Sequence, residues 1–160
     1  MRYQSFQQLD IALELVGASH ESCRAYFGYY LRHLCRDPQT FDDVLKIYVD
    51  NFMKPGNIKG GFDWYRAINA PRLAIIRGDA PPVDKITLPM RMLWGAHDPV
   101  LKAERRDRLH EYFSDIQIDD INEAGHFVHY EAPDLAIREI TAFFKPLPYQ
   151  QTKTLMPHHE

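Results

Sequence analysis

Two ionisable residues stand where short apolar runs give way to loops: Asp98, just beyond Met90 to Trp94, and His126, just beyond Ile116 to Ile121. If both runs are strands of one parallel sheet, their carboxyl ends lie side by side. A carboxylate placed there fixes the tautomer of a neighbouring imidazole and stabilises its charged form. The chemistry open to such a pair is hydrolysis, with His126 as the general base that activates water and Asp98 behind it. Each residue also has a plainer reading. Asp98 suits the N-cap of a helix after Pro99, and His126 suits a loop histidine capping the helix that follows.

The remaining chemistry-bearing residues are less promising. His97 reads as a solvent-facing neighbour of Asp98, and His129 has no carboxylate or third ligand spaced to complete a metal site. His33 and His110 fall on helices as surface or boundary residues. Arg105, Arg106 and Arg108 with Asp107 form a solvated helix face. Cys23 and Cys35 lie in what reads as one helix, roughly 18 Å apart at about 1.5 Å per residue, too far to bridge. They are read as buried or half-buried thiols.

The elements that must position Asp98 and His126 follow from periodicity. Residues 3–16 read as an extended lead-in turning into a short helix. Cys23, Tyr26, Phe27, Tyr30, Leu31 and Leu34 then form one helical face, with Ser19 as N-cap and Asp37-Pro38 as the stop. A second helix is expected from Thr40 as N-cap with Asp43 in its first turn, carrying Phe41, Val44, Leu45, Tyr48 and Phe52 and ending at Pro55-Gly56. A third, from about Asn57 to Ala70, carries Ile58, Phe62, Tyr65 and Ile68, with Gly60-Gly61 allowing close approach of another backbone. The segment from Pro71 to Asp84, with Arg77-Gly78-Asp79 and Pro81-Pro82, reads as a connector. Beyond it the pattern becomes a strand at Met90 to Trp94 covered on both faces, a helix around Glu104 to Phe113, a strand at about Ile116 to Ile121, and a helix from Pro133 to Lys145. Strand, helix, strand, helix is an α/β pattern. The tail from Pro146, with His158-His159, reads as disordered.

At 160 residues with 45% hydrophobic content, the chain is long enough for one domain with a buried core. A net charge of −3 with mixed signs offers no basic stripe for nucleic acid or an anionic membrane. No apolar run approaches the roughly 20 residues that cross a bilayer, and the first residues do not lead into a signal-peptide core. The expected location is the cytoplasm.

The order of these pieces resembles the second half of an α/β-hydrolase, in the branch of epoxide hydrolases and haloalkane and haloacetate dehalogenases. Leu88-Pro89 through Leu93-Trp94-Gly95-Ala96-His97-Asp98 looks like the penultimate core strand and its acid-bearing loop. Ala124-Gly125-His126-Phe127 with Glu131-Ala132-Pro133 looks like the catalytic-histidine loop and the start of the last helix, and the stretch from about Leu9 to Ala70 is similar to the helical lid. The resemblance implies an α/β fold, the C-terminal part of an α/β-hydrolase preceded by an all-helical lid. The divisions are 1–84 as lid and connector, 85–147 as core and 148–160 as tail.

Two lid features lean toward epoxide hydrolases. Tyr3 through Leu9 looks like the segment leading into that family's lid, and Gly61-Phe62-Asp63-Trp64-Tyr65-Arg66 is similar to the segment carrying its second lid tyrosine. In those enzymes two phenols hold the epoxide oxygen, and a donor with pKa near 10 is protonated at neutral pH and can release its proton as alkoxide charge builds. The resemblance thus implies catalytic roles for His126, Asp98, Tyr65 and Tyr3, and substrate contacts for Trp64 and Phe127. Read without it, Tyr65 is equally a core aromatic of the third helix, and Trp64 is packing. An Asp in the Asp98 loop also favours epoxide hydrolases over haloacetate dehalogenases. No cofactor or metal is implied, and the expected substrate is small and hydrophobic.

The branch places its nucleophile on a strand-to-helix turn of the form G-x-D-x-G, or G-x-S-x-G in esterases. Neither pattern occurs in the 160 residues, nor does the His-Gly loop that supplies an oxyanion hole. Two strands alone make a marginal sheet. The chain is therefore expected to pair with a separately encoded N-terminal half, to self-associate through the open strand edge, or to be the product of a truncated reading frame. The rival readings are a serine esterase or dehalogenase of the same superfamily and an inactive fragment acting as a binding or oligomerisation module.

Overall fold

Apolar residues spaced three and four apart fill the first half of the chain. In the computed structural model, which describes residues 2–144, they build a layer of helices: α1 (Arg2–Gln7), α2 (Asp10–Gly17), α3 (His20–Leu34), α4 (Leu45–Phe52), α5 (Asn57–Ala67) and α6 (Asn69–Arg77). The inner faces of α2, α3, α4 and α5 meet in one cluster of Ala12, Val16, Cys23, Leu45, Val49, Ile58 and Phe62. A second, smaller cluster of Ile121, Ala124 and Val128, with Leu93 and Leu135 against it, lies under the strands. β1 (Met90–Gly95) and β2 (Ile116–Ile121) run parallel, Met90 opposite Ile116 and Gly95 opposite Ile121. This parallel pair flanked by helices is the expected α/β architecture. The chain closes with α7 (Leu109–Tyr112) between the strands, then α8 (Val128–Glu131) and α9 (Pro133–Phe143).

Several expected elements take another form, each for a local reason. Residues 3–16 are helical almost throughout, because Phe6, Ala12 and Val16 already carry the helical spacing; only Leu9, at φ −75° and ψ 140°, is extended between α1 and α2. α3 keeps its Ser19 cap, which accepts from Ser22 N–H at 3.1 Å, but stops at Leu34. It stops early because the Leu34 carbonyl is taken by the backbone N–H of His126 at 2.9 Å, which leaves Cys35 extended.

The helix expected from Thr40 begins at Leu45 instead. Thr40 gives its hydroxyl to the Asp37 carbonyl at 2.7 Å rather than capping a helix. Phe41 leaves the expected stripe to stack on Tyr130, with centroids 4.3 Å apart, and to meet Phe127 edge-on.

The expected connector holds α6. Pro71 sits in its first turn, where a missing N–H costs nothing, and Gly78 ends it at φ +79°. The helix expected around Glu104 to Phe113 is broken into a 3-10 turn at Ala103–Arg106 and the single turn α7. Arg106 is drawn away to Asp120 and Arg108 pairs with Glu111. β1 is half-buried rather than covered on both faces. A Cβ at Gly60 or Gly61 would meet nothing within 4 Å, so the expected close approach does not occur there. Lys145, the tail and its histidines lie outside the described residues.

Candidate active site

The close approaches lie instead at Gly95 and Gly125. A Cβ on Gly95 would fall 1.7 Å from the Gly125 carbonyl oxygen, and one on Gly125 would fall 2.6 Å from the Leu34 oxygen and 2.8 Å from Arg36 N. The end of β1, the loop after β2 and the end of α3 are thus pressed backbone to backbone, which only glycine permits. Two further bonds fix the stack: Ala96 N–H to the Ile121 carbonyl at 3.0 Å, and His97 N–H to the Ala124 carbonyl at 3.1 Å.

This stack brings Asp98 and His126 together. Asp98 Oδ2 lies 2.8 Å from His126 Nδ1, while Oδ1 accepts from the N–H groups of Val100 at 2.7 Å and Leu101 at 2.9 Å. One oxygen thus caps the bend after Pro99, where no helix begins, and the other holds the ring. The Asp98 side chain is 6% exposed and that of His126 28%. A carboxylate acceptor on Nδ1 puts the proton of the neutral ring there and leaves Nε2 free as a base.

Glu131 completes the support. Its Oε2 accepts from Arg36 N–H at 2.7 Å and Gly125 N–H at 3.0 Å, and its Oε1 accepts from Phe127 N–H at 3.0 Å. One carboxylate ties the histidine loop on both sides of His126 and joins it to Arg36, two residues past the end of α3. Sequence reading noted Glu131 only as part of a motif. Its signal was an acidic residue one turn beyond a loop rich in unpaired N–H groups.

His126 and Phe127 form one end of a cleft of about 350 Å³ beneath the helices, with Tyr3, Gln7, Phe27 and Tyr65 among its other walls. The rings of Tyr3 and Tyr65 meet edge to face, their centroids 5.9 Å apart. Burial pushes the Tyr65 phenol up to about 12, and the Tyr3 phenol beside it adds to the shift. Burial raises Tyr30, another wall of the cleft, in the same direction. These phenols are therefore proton donors at neutral pH.

Of the residues singled out from sequence, Asp98, His126, Phe127, Tyr3 and Tyr65 come together at or beside this cleft. Trp64 does not: it is 62% exposed and borders a neighbouring recess that shares Gln7, Phe27, Phe52 and Tyr65 with the cleft. Gln7 and Tyr30 went unremarked as site residues because a Gln or Tyr on a helical stripe carries no distinguishing spacing. His97 and His129 are exposed. No group of three or more His, Cys, Asp or Glu among the described residues is arranged to hold a metal. No helix among them is long and apolar enough to cross a membrane.

No family model matches the chain. In sequence it is 26% identical over 106 residues to the AB hydrolase superfamily protein YfhM of Bacillus subtilis (strain 168), covering 66% of this chain and 35% of that protein. In structure it is similar to wild-type Cfl2 from Burkholderia cenocepacia, at TM-score 0.74 and 22% identity over 90% of this chain and 47% of that one. It is also similar to the epoxide hydrolase CorEH, at TM-score 0.69 and 23% identity over 90% of this chain and 50% of that one. A mutant epoxide hydrolase from Bacillus megaterium, in complex with its product, gives TM-score 0.65 at 20% identity, over 89% and 50% of the two chains. The chain spans about half the length of these structures and about a third of the curated relative. Over the part it spans, it has the α/β-hydrolase fold: a helical layer followed by two parallel strands whose loops carry an acid and a histidine.

Proposed function

We propose that the chain supplies the lid and the acid and histidine loops of an epoxide-hydrolase-like enzyme acting on small hydrophobic substrates. The observation that carries this reading is the convergence of the Asp98-held His126 and the Tyr3–Tyr65 pair on one largely apolar cleft. The attacking carboxylate is supplied by a segment outside these 160 residues. It attacks an epoxide carbon and the C–O bond breaks. The departing oxygen takes a proton from the phenol of Tyr65 or Tyr3, leaving a hydroxy-alkyl ester on the enzyme. His126 Nε2 then removes a proton from water, and the hydroxide adds to the ester carbonyl. The tetrahedral adduct then collapses: the diol oxygen takes the proton held by His126, and the acid proton left on the carboxyl group returns to the phenolate, restoring carboxylate, imidazole and phenol, with Asp98 balancing the charge on the imidazolium while it lasts. Phe127, packed beside His126 on the cleft wall, is the substrate contact, and Trp64, exposed in the neighbouring recess, lies off this path. The mechanism calls for no cofactor. The free buried thiols of Cys23 and Cys35 fit a reducing compartment such as the cytoplasm.

The partner in this reading is the segment bearing the nucleophile, which extends the sheet. Support comes from the half-buried state of β1 and from an apolar groove beside it, formed by Met90, Leu93, Ile140, Phe143 and Phe144. A second copy pairing through the same edge is the rival partner. Gel filtration of the purified chain as a compact, folded monomer contradicts both.

The deciding assay sets the chain alone, and the chain joined to an N-terminal α/β-hydrolase segment carrying an Asp nucleophile, against a chromogenic epoxide and an aryl ester. The expected result is no turnover by the chain alone and epoxide turnover by the joined protein, lost in His126→Gln. Ester turnover by a joined protein with Ser as nucleophile, and none on epoxide, supports an esterase instead. No turnover by either joined form supports a binding or oligomerisation module, a reading favoured by the absence of both nucleophile motifs from the sequence.

A further inference from the structure

Arg66 stands next to Tyr65 on α5, yet its guanidinium reaches across to the end of another helix. Nη2 gives a hydrogen bond to the Leu9 carbonyl at 3.1 Å and Nε one to the Gln8 carbonyl at 3.4 Å, both just past the last residue of α1. Carbonyls at the end of a helix lack partners within it, and the arginine fork can satisfy two at once. Nη1 bonds Asp63 Oδ1 at 2.9 Å, one turn back on α5, which fixes the direction of the side chain. That side chain is 30% exposed, so its bonds are partly shielded from water, whereas the carboxylate of Asp10, 3.6 Å away, stands fully in solvent.

The two helices joined here carry the phenols of the cleft, Tyr3 on α1 and Tyr65 on α5. α1 has six residues, too few to hold a helix or its place without tertiary contacts. Leu9 after it is extended, so α2 does not continue its axis. Phe6 packs it on the lid core, and Arg72 of α6 meets Gln4 Oε1 at 2.7 Å nearer its start. We infer that Arg66 is a positioning residue for the Tyr3–Tyr65 pair: seated on the carbonyls that end α1, it sets where Tyr3 stands relative to Tyr65 across the cleft. The inference rests on the reading of the two phenols as holders of the epoxide oxygen and adds the residue that keeps them in place. Two donors serve one oxygen only while both stay within hydrogen-bond reach of it, about 3 Å. A Tyr3 carried on an untethered α1 leaves Tyr65 to act alone.

The test uses the 160-residue chain with styrene oxide and phenylcyclopropane, probes that differ only in an oxygen replaced by CH2. Ligand-observed NMR gives the preference for the epoxide over the hydrocarbon, and protein NMR gives the ring-to-ring cross-peaks of Tyr3 and Tyr65, whose centroids are 5.9 Å apart. In Arg66→Met the cross-peaks should be lost and the preference should fall about fivefold, as far as in Tyr3→Phe, the size of one hydrogen bond. Arg66→Lys keeps the charge and can reach one carbonyl, so it should recover part of both. A lowered melting temperature with cross-peaks and preference unchanged overturns the inference and leaves the reading of the phenols intact, because the arginine then serves the fold alone. Global unfolding of both Arg66 variants overturns it for the same reason. A preference unmoved by both Tyr3→Phe and Tyr65→Phe overturns the reading of the phenols, and the inference with it.

Discussion

The carboxylate of Glu131 and the backbone N–H of Arg36 meet at 2.7 Å, joining the segment after α3 to the loop that carries His126. The same carboxylate holds Gly125 N–H and Phe127 N–H, so three donors depend on one side chain. Hydrogen bonds to a charged acceptor are worth about 1.5–3 kcal/mol each, and donors left unpaired beside buried backbone cost a similar amount. Glu131→Ala is therefore expected to destabilise the chain by roughly 2 kcal/mol or more. Glu131→Gln, whose single carbonyl oxygen can still accept, should recover part of that. Urea unfolding at neutral pH measures both. Equal midpoints for Glu131→Ala and the wild type would show that the clamp contributes nothing.

The glycines give a paired contrast. Gly125→Ala places a methyl 2.6 Å from the Leu34 oxygen, where backbone rather than a flexible side chain must give way. The expected cost is about 3 kcal/mol, at the upper end of overpacking effects. Gly60→Ala, in the interior of α5 with open space around it, should instead stabilise by about 0.5–1 kcal/mol through reduced chain entropy. Thermal unfolding of the two variants should move in opposite directions. Shifts of the same sign would contradict the packing described here.

Tyr65 makes the stability pH-dependent at the alkaline end. Its phenol has the ordinary tyrosine value near 10 when unfolded and is pushed up to about 12 in the fold by burial. Between those values the unfolded chain has released a proton that the folded chain keeps. The native state then binds more protons, and stability falls as pH rises. Below pH 10 the group contributes no slope. Comparing urea midpoints at about pH 8 and about pH 11, the wild type should lose of order 1 kcal/mol more than Tyr65→Phe. Identical losses would place the Tyr65 hydroxyl in water rather than at the cleft.

The cysteines should be inert in the native state. Burial pushes the Cys35 thiol up to about 12, with the Glu131 carboxylate adding to the shift, and burial raises Cys23 as well. Only thiolate reacts with a disulfide reagent. At pH 8 the native chain should therefore label slowly, and both thiols should label at once in denaturant. Rapid labelling of either in the native state would mean that the end of α3 or the helical core opens readily.

The placement of Asp98 and His126 beside each other was legible because it depends on local patterns: a short apolar run, a Gly, then an ionisable residue. Both strands appear within a residue of the expected bounds, and α9 starts at the expected Pro133. What could not be read was set by contacts between the halves. α3 ends where the His126 loop claims its last carbonyl, and Phe41 leaves its helix to stack on Tyr130. No window of sequence around either residue contains its partner. Tyr3 and Tyr65 were suggested by resemblance alone, since edge-to-face contact between two distant helices leaves no trace in spacing. Gln7 was hidden for the same reason.

The most direct test of the account is the tautomer of His126, read by 15N NMR of the histidine-labelled chain with the ring in its neutral form. The geometry predicts a proton on Nδ1, protected by Asp98, and an unprotonated Nε2 open to the cleft, with the Nδ1 proton signal lost in Asp98→Ala. A proton on Nε2 in the wild type, or a spectrum unmoved by Asp98→Ala, would contradict it.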